Sequence, residues 1–402
     1  MQSLIDERHE TRNFWWLLAF GLVVLGAGLF AAHQMEVQGH IVTGMDNQVV
    51  WGLPHVFAIL MIVAASGVLN VASIGSVFGE SVYKLRAPLA GLLCLALLAG
   101  GLMVLMLDLG RPERIVVAAT HYNFKSIFAW NVILYSGMAA IVAVYLWTMF
   151  ERRFNAWSKP VGIAALVWRF ILTTGTGSIF GFLVARQAYQ SALLAPLFIV
   201  LSFGWGLAVF MIVQAAMYAW NGVELPAGVE RRLARLLAVF IGASLYLVAV
   251  FHVTNLYYAR QADFEAFILL GRGGGDEFAL LFWVGFVLLG SAVPFALLLW
   301  PAVRGPVGMG VAAGLVVLGG FAFLYVFIIG GQAYPLEIFP GHAVTSDFGD
   351  GQVARYVPRW PELLLGLGGV AAAFVLTIVG VRVLDFLPRD EPAGAGPAAP
   401  PS

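Results

Sequence analysis

The sequence predicts an all-α, multi-pass membrane protein with ten transmembrane helices, and three observations carry that reading. Hydrophobic residues make up 61% of the 402-residue chain and charged residues 11%, far from the balance of a soluble domain. Mean hydropathy is +0.89. Apolar runs of about 20 residues, enough to cross a bilayer as helix, recur along nearly the whole chain. The formal net charge of zero suggests no nucleic-acid partner. Cys94, the single cysteine, lies inside an apolar run. That excludes a disulfide framework, a thiolate zinc site and a cysteine-held iron–sulfur cluster, so any such cluster must belong to a partner.

Residues 1–13 are polar, carry both signs of charge and read as a cytoplasmic tail. No small-x-small cleavage site follows the first apolar run, which is therefore a retained helix at 14–32. Further spans are expected at 54–78, 87–107, 126–149, 161–185, 192–220, 234–258, 278–300, 307–330 and 361–384. The Pro- and Ala-rich segment 385–402 reads as a disordered cytoplasmic tail. Segments on the side of the N-terminus hold 13 Lys and Arg, those on the other side 8. The positive-inside rule then places both termini in the cytoplasm. The longest outer loops are 33–53, 259–277 and 331–360. The run Gly271-Arg-Gly-Gly-Gly275 follows no strand and lacks a phosphate-loop lysine, so it is expected to be a flexible turn.

With that topology, polarity gathers at one rim. His33, His40, His55, His121, His252 and His342 fall on or near the outer face, joined by Asp108, Arg111, Tyr122, Asn255, Tyr258 and Gln332. A transport pathway would place such groups near the midplane, so a site at the edge, open to lipid, fits better. The organising stretch is Leu105-Met-Leu-Asp-Leu-Gly-Arg-Pro-Glu-Arg114, continuing through His121-Tyr-Asn-Phe-Lys125. Charges at a bilayer edge cost energy unless paired or facing a watered cavity. Asp108 and Arg111, three residues apart, are positioned to pair, and Pro112 stops the helix. The plain alternative is a polar loop with a local ion pair.

A quinone needs hydrogen-bond donors for its carbonyls, titratable groups for its protons and an opening between helices for its tail. His55, in Leu53-Pro-His-Val-Phe57, is placed to donate to a carbonyl, and Asp108 lies at about the same depth to exchange protons. Taken alone, His55 reads equally as a satisfied interfacial histidine, and His252 with Asn255 reads first as structural. Only His55 and His252 lie inside spans, so the usual two-haem ladder is not available, and no Cys-x-x-Cys-His exists for covalent haem. Arg169 is the single charge deep in a span, about 12 Å from its inner end at 1.5 Å per residue. It is expected to pin helices together in preference to serving a proton route. The run Thr173-Thr-Gly-Thr-Gly-Ser178 and the pair Gly100-Gly101 are expected to let helices approach closely.

These motifs resemble a known family. Asp108-Leu-Gly-Arg-Pro112, then His121-Tyr-Asn-Phe-Lys-Ser126 before Trp130, is similar to the NrfD/PsrC family of membrane quinone subunits. Trp51-Gly-Leu-Pro-His55 and Gly330-Gly-Gln-Ala-Tyr-Pro335 resemble its ten-span branch, and the N-terminal half is most similar to the DsrP members, which belong to DsrMKJOP complexes. The resemblance implies two four-helix bundles, here about 54–185 and 192–330, flanked by the first and last helices. It implies a quinone, menaquinone or ubiquinone, near the outer end of the first bundle, and no haem or iron–sulfur cluster in this chain. It implies a periplasmic ferredoxin-like iron–sulfur partner, with further membrane and cytochrome subunits, in a bacterial inner membrane. By motif position, His55, Asp108 and Arg111 are the expected reactive residues, and His55, Asp108, Tyr122 and Trp130 the expected quinone contacts. The expected function is electron and proton exchange between quinone and that partner in respiratory or sulfur metabolism. The alternatives are a secondary transporter using Arg169 and the fifth span, or a structural membrane anchor.

Overall fold

The computed structural model describes residues 11–336 and 351–384, apart from 221, 223 and 301–304. The expected tail 385–402, most of the tail 1–13, and His342 lie outside the described residues. The described chain is helical throughout, with ten helices long and apolar enough to span a membrane. In sequence order these are α1 (Thr11–Gln38), α2 (Leu53–Ser76), α3 (Ala87–Leu107), α4 (Ile127–Phe150), α5 (Ser158–Gly181), α6 (Leu194–Trp220) and α7 (Ala227–Tyr257). A shorter helix, α8 (Ala259–Leu270), then precedes the spans α9 (Asp276–Leu299), α10 (Val307–Ala333) and α11 (Trp360–Val383). Every predicted span has its helix.

Helices α2, α3, α4 and α5 pack in a ring, and α6, α7, α9 and α10 form a second. The rings meet chiefly along α2 and α6, while α1 pairs with α11, which lies on α3 and α2. The α2–α6 seam is tight because Gly67 and Gly206 face each other: a Cβ on Gly67 would run into the Ser202 carbonyl. Gly100 likewise lets α3 meet the backbone of α11 at Gly369. In a bilayer the gain comes from such close packing, since lipid offers apolar side chains the same environment as a neighbouring helix. Large apolar side chains accordingly point outward, among them Trp16, Val23, Val239 and Leu318.

Arg169 pins helices as expected. Its Nη1 donates to Asn70 Oδ1 at 2.6 Å and to the Ser66 carbonyl at 3.3 Å, tying α5 to α2, and its guanidinium lies over Phe170 and Phe203. Thr173 and Thr176 donate back to Arg169 and Leu172 within α5, which stays helical through the Thr/Gly run. The outer segment 259–277 is not the plain loop that was expected. It contains α8, closed by Gly271 in the left-handed conformation. α8 is held by Glu265, a fully buried carboxylate 2.6 Å from His252 Nδ1 and accepting from Asn255 Nδ2 at 2.8 Å. His252 thus ties α7 to α8 through Glu265.

Candidate functional site

The start of α2 carries His55 because the backbone is clamped just before it. Gly52 caps the helix and Pro54 occupies its first turn, where a missing N–H costs nothing. The Trp51 N–H donates to Gln332 Oε1 at 3.0 Å, and Gln332 Nε2 returns a bond to the Trp51 carbonyl at 2.9 Å. Arg186 donates to the carbonyls of Gln332 and Gln48 at 2.8 and 2.7 Å. On the other side Leu53 N–H donates to the Tyr356 hydroxyl at 2.7 Å, which in turn donates to buried Glu362. Glu362 also accepts from the N–H groups of Gly44 and Arg359 at 2.7 and 2.8 Å. The late motif around Gln332 therefore serves the position of His55 from nearly three hundred residues away.

Asp108 caps the end of α3 and its side chain is 1% exposed. His55 Nδ1 lies 2.8 Å from its Oδ2. His40, in the turn after α1, donates from Nε2 to the Asp108 carbonyl at 2.9 Å and sits 3.8 Å from Oδ1. Both carboxylate oxygens are sealed from solvent without a well-directed hydrogen bond. Burial pushes the Asp108 carboxyl up, but the polar contacts and charge of His40 and His55 outweigh it and hold the group below its ordinary range. His40 moves the other way: its contact with Asp108 raises it above 6.5 against the opposing effect of burial.

His55 also lines a cavity of about 300 Å³. Its floor and far wall are Tyr135 and Asn131 of α4, Phe180 of α5 and Ile328 of α10, all buried. Trp51 closes the near side, its ring stacked on that of His55 at 6.0 Å. The mouth is formed by Met106 and Leu109 at the end of α3 and by Phe128 and Val132 of α4, all exposed on the lipid-facing surface. An apolar cleft of this size with a few convergent polar groups is the usual form of a small-molecule site. The buried Asn131 Oδ1 has no hydrogen-bond partner, while its Nδ2 donates to the Ile127 and Gly175 carbonyls, so Asn131 can accept from a ring hydroxyl. The residues present fit a flat ring whose oxygens face His55 at one end and Asn131 and Tyr135 at the other.

Two sequence expectations are corrected here. Arg111 does not pair with Asp108: its side chain is exposed and makes no ion pair among the described residues, because the backbone turns away at Pro112 and both histidines take the carboxylate. Tyr122 and Trp130 do not line the cavity. The Tyr122 hydroxyl donates to the Ala129 carbonyl at 2.6 Å and Trp130 Nε1 to the Phe124 carbonyl at 2.9 Å, so both fasten the loop to the start of α4. The same helix supplies Phe128, Asn131 and Tyr135 instead. Trp130 and Asn131 point to different sides, since adjacent residues on a helix are about 100° apart. Asn131 and Tyr135, which line the cavity, were not singled out in the sequence, and His40 entered only as one of several rim histidines. Asn131 and Tyr135 recur at a four-residue interval inside an apolar span, a signal that was there to be read.

Comparison with known proteins identifies the family. The family model described as polysulphide reductase, NrfD, matches residues 41–335. An integral membrane subunit of an Hdr-like menaquinol oxidoreductase from Archaeoglobus fulgidus is 28% identical, covering 92% of this chain and 94% of its own. The integral membrane subunit of a menaquinone reductase from Nitratidesulfovibrio vulgaris is 24% identical, covering 96% and 94%. The C component of the polysulfide reductase of Wolinella succinogenes is 25% identical, covering 72% of this protein and 96% of its own length. With ten spans, a lipid-open cavity beside a buried acid–histidine pair, and a match over most of its length, this chain belongs to the NrfD family of polysulphide-reductase-type membrane subunits.

Proposed function

We propose that this protein is the quinone-reactive membrane subunit of an electron-transfer complex, exchanging electrons and protons with a quinone in the cavity beside His55. The observation that carries the reading is the contact of His55 with both the cavity and the buried carboxylate of Asp108. His55 directs Nδ1 to Asp108, leaving Nε2 for a quinone oxygen. At the other end of the cavity, beside Tyr135, Asn131 Oδ1 is free to accept from a quinol hydroxyl. Asp108 takes or gives the proton, within reach of His55 and out of water, where a carboxylate's charge state is set by its neighbours. Trp51, Phe128 and Phe180 hold the ring plane and exclude water.

On this reading the electrons pass to a partner with iron–sulfur clusters, docked at the rim above His55 on the periplasmic face of the inner membrane. A single buried cysteine supports it, since a cysteine-held cluster needs several thiolates and this protein supplies one. Two relatives are named for menaquinol or menaquinone chemistry, which favours a naphthoquinone over a benzoquinone. A DsrP-like place in a DsrMKJOP-type complex is the finer form of the proposal, and it rests on the motifs of the N-terminal half.

Replacing Asp108 by Asn keeps its shape and removes its charge. In the assembled complex, Asp108→Asn is expected to lower quinol turnover by on the order of 10²-fold or more, while the purified complex still retains quinone. Turnover equal to wild type would refute the role of Asp108. Retention of no quinone by the wild-type complex would refute the site.

A further inference from the structure

The structure assigns His40 as the water-side member of a proton relay that joins the quinone cavity to the outer aqueous rim through His55 and Asp108. It rests on the quinone reading of the cavity and adds a route to it. Asp108 alone cannot exchange protons with water, because its side chain is 1% exposed and His55 covers it on the cavity side. His40 covers it on the other side and is 32% exposed. The order of groups is cavity, His55, Asp108, His40, water, with 2.8 Å between the first imidazole and the carboxylate and 3.8 Å between the carboxylate and the second.

The longer step is set by where His40 sits at rest. Its Nε2–H donates to the Asp108 carbonyl at 2.9 Å, and a tilt of the ring moves that N–H from the carbonyl to Oδ1 of the same residue. The ring edge away from the carboxylate lies beside Gly110, where even an added Cβ would reach only ordinary contact at 3.6 Å from His40 Nδ1. The surrounding charged groups do not compete for the ring. Glu362 adds a favourable field, but its carboxylate is tied to Gly44, Arg359 and Tyr356. Arg359 donates to the Ile41 carbonyl. An imidazole that touches a buried carboxylate on one edge and water on the other is the form a proton shuttle takes.

When a quinol is oxidised, two electrons pass to the iron–sulfur partner. The proton of the hydroxyl that His55 faces passes to His55, then to Asp108. It goes on to His40 Nε2 in the tautomer that carries its hydrogen on Nδ1, from which the second imidazole releases it to water. The hydroxyl proton at the Asn131 and Tyr135 end leaves outside this relay. Reduction of a quinone runs the same steps in reverse, with protons taken from the rim.

His40→Gln and His40→Ala in the assembled complex test this. A glutamine keeps an N–H donor for the Asp108 carbonyl but carries no proton. His40→Gln is expected to lower quinol turnover by on the order of 10²-fold with quinone retention unchanged. Imidazole added to His40→Ala is expected to restore much of the rate, since the vacated position is open to water. Three results overturn the relay: wild-type turnover in His40→Gln, loss of quinone retention together with turnover in that variant, or a His40→Ala defect that imidazole does not relieve. The proposals fail separately. If Asp108→Asn is impaired and His40→Gln is not, only the relay falls; if the wild-type complex retains no quinone, the site itself falls.

Discussion

Asp108 lies between two imidazoles, and the direction in which each group's titration is displaced sets how the rim responds to pH. His40 titrates above its ordinary 6.5 in the folded protein because of its contact with Asp108. Its contribution to stability is therefore full below pH 6.5 and is lost as pH rises through the raised value. Asp108 titrates below 3.8 when folded, so its contribution is present above that pH and is lost as pH falls through the lowered value. The attraction is complete between about pH 4 and 6.5. The difference in thermal midpoint between wild type and His40→Gln should therefore be greatest in that window and shrink in alkaline buffer. A difference constant from pH 5 to 9 would show that the pair does not ionise as described. Arg111 gives the opposite expectation: being exposed, its replacement by Gln should change stability by no more than about 0.5 kcal/mol, and quinol turnover should stay at the wild-type level. The proximity of Asp108 and His55 was legible in the sequence because each lies at a span end on the same rim. His40 was not legible, since its partner is 68 residues away and nothing local separates it from His33 or His121.

At the level of elements, the ten spans could be read because length and hydropathy alone define a helix that must satisfy its backbone in lipid. Helix α8 could not. It is short and its charges suggest a solvated loop, yet Glu265 turns inward to His252 and Asn255 of α7. Without the carboxylate, Asn255 would lose its buried partner, which costs about 1–3 kcal/mol. Glu265→Leu is accordingly expected to lower the thermal midpoint and to expose α8 to limited proteolysis, with quinone retention intact. Unchanged protease resistance would mean that apolar contacts alone hold α8. The α2–α6 seam makes a sharper case. Its glycines leave no room for a side chain, so Gly67→Val must separate the two rings of helices. The expected result is loss of assembled protein in the membrane, which a conservative change on the lipid face such as Val239→Ile should not cause.

For the whole molecule, the arrangement of two rings came from the family resemblance and not from spacing. Periodicity shows that a helix spans a membrane but not which helices are neighbours. The three-dimensional arrangement explains why the cavity belongs to one ring yet depends on the other. Ile328 of the second ring closes its floor, and Gln332 from the same helix fixes the extended segment that presents His55. The mouth between Met106, Leu109, Phe128 and Val132 is exposed on the flank of the spanning helices, so on the proposed quinone reading a tailed substrate would enter sideways from the bilayer while its protons leave at the rim. Val132→Trp tests this separation of routes. A bulky ring at the mouth touches none of the groups that hold or move a proton, so KM for a long-tailed quinol should rise several-fold while kcat holds. A short-tailed, water-soluble analogue should be affected less, because it need not lay a tail between α3 and α4. If kcat falls for both substrates and KM for neither, the opening between those helices is not the route by which quinol reaches His55.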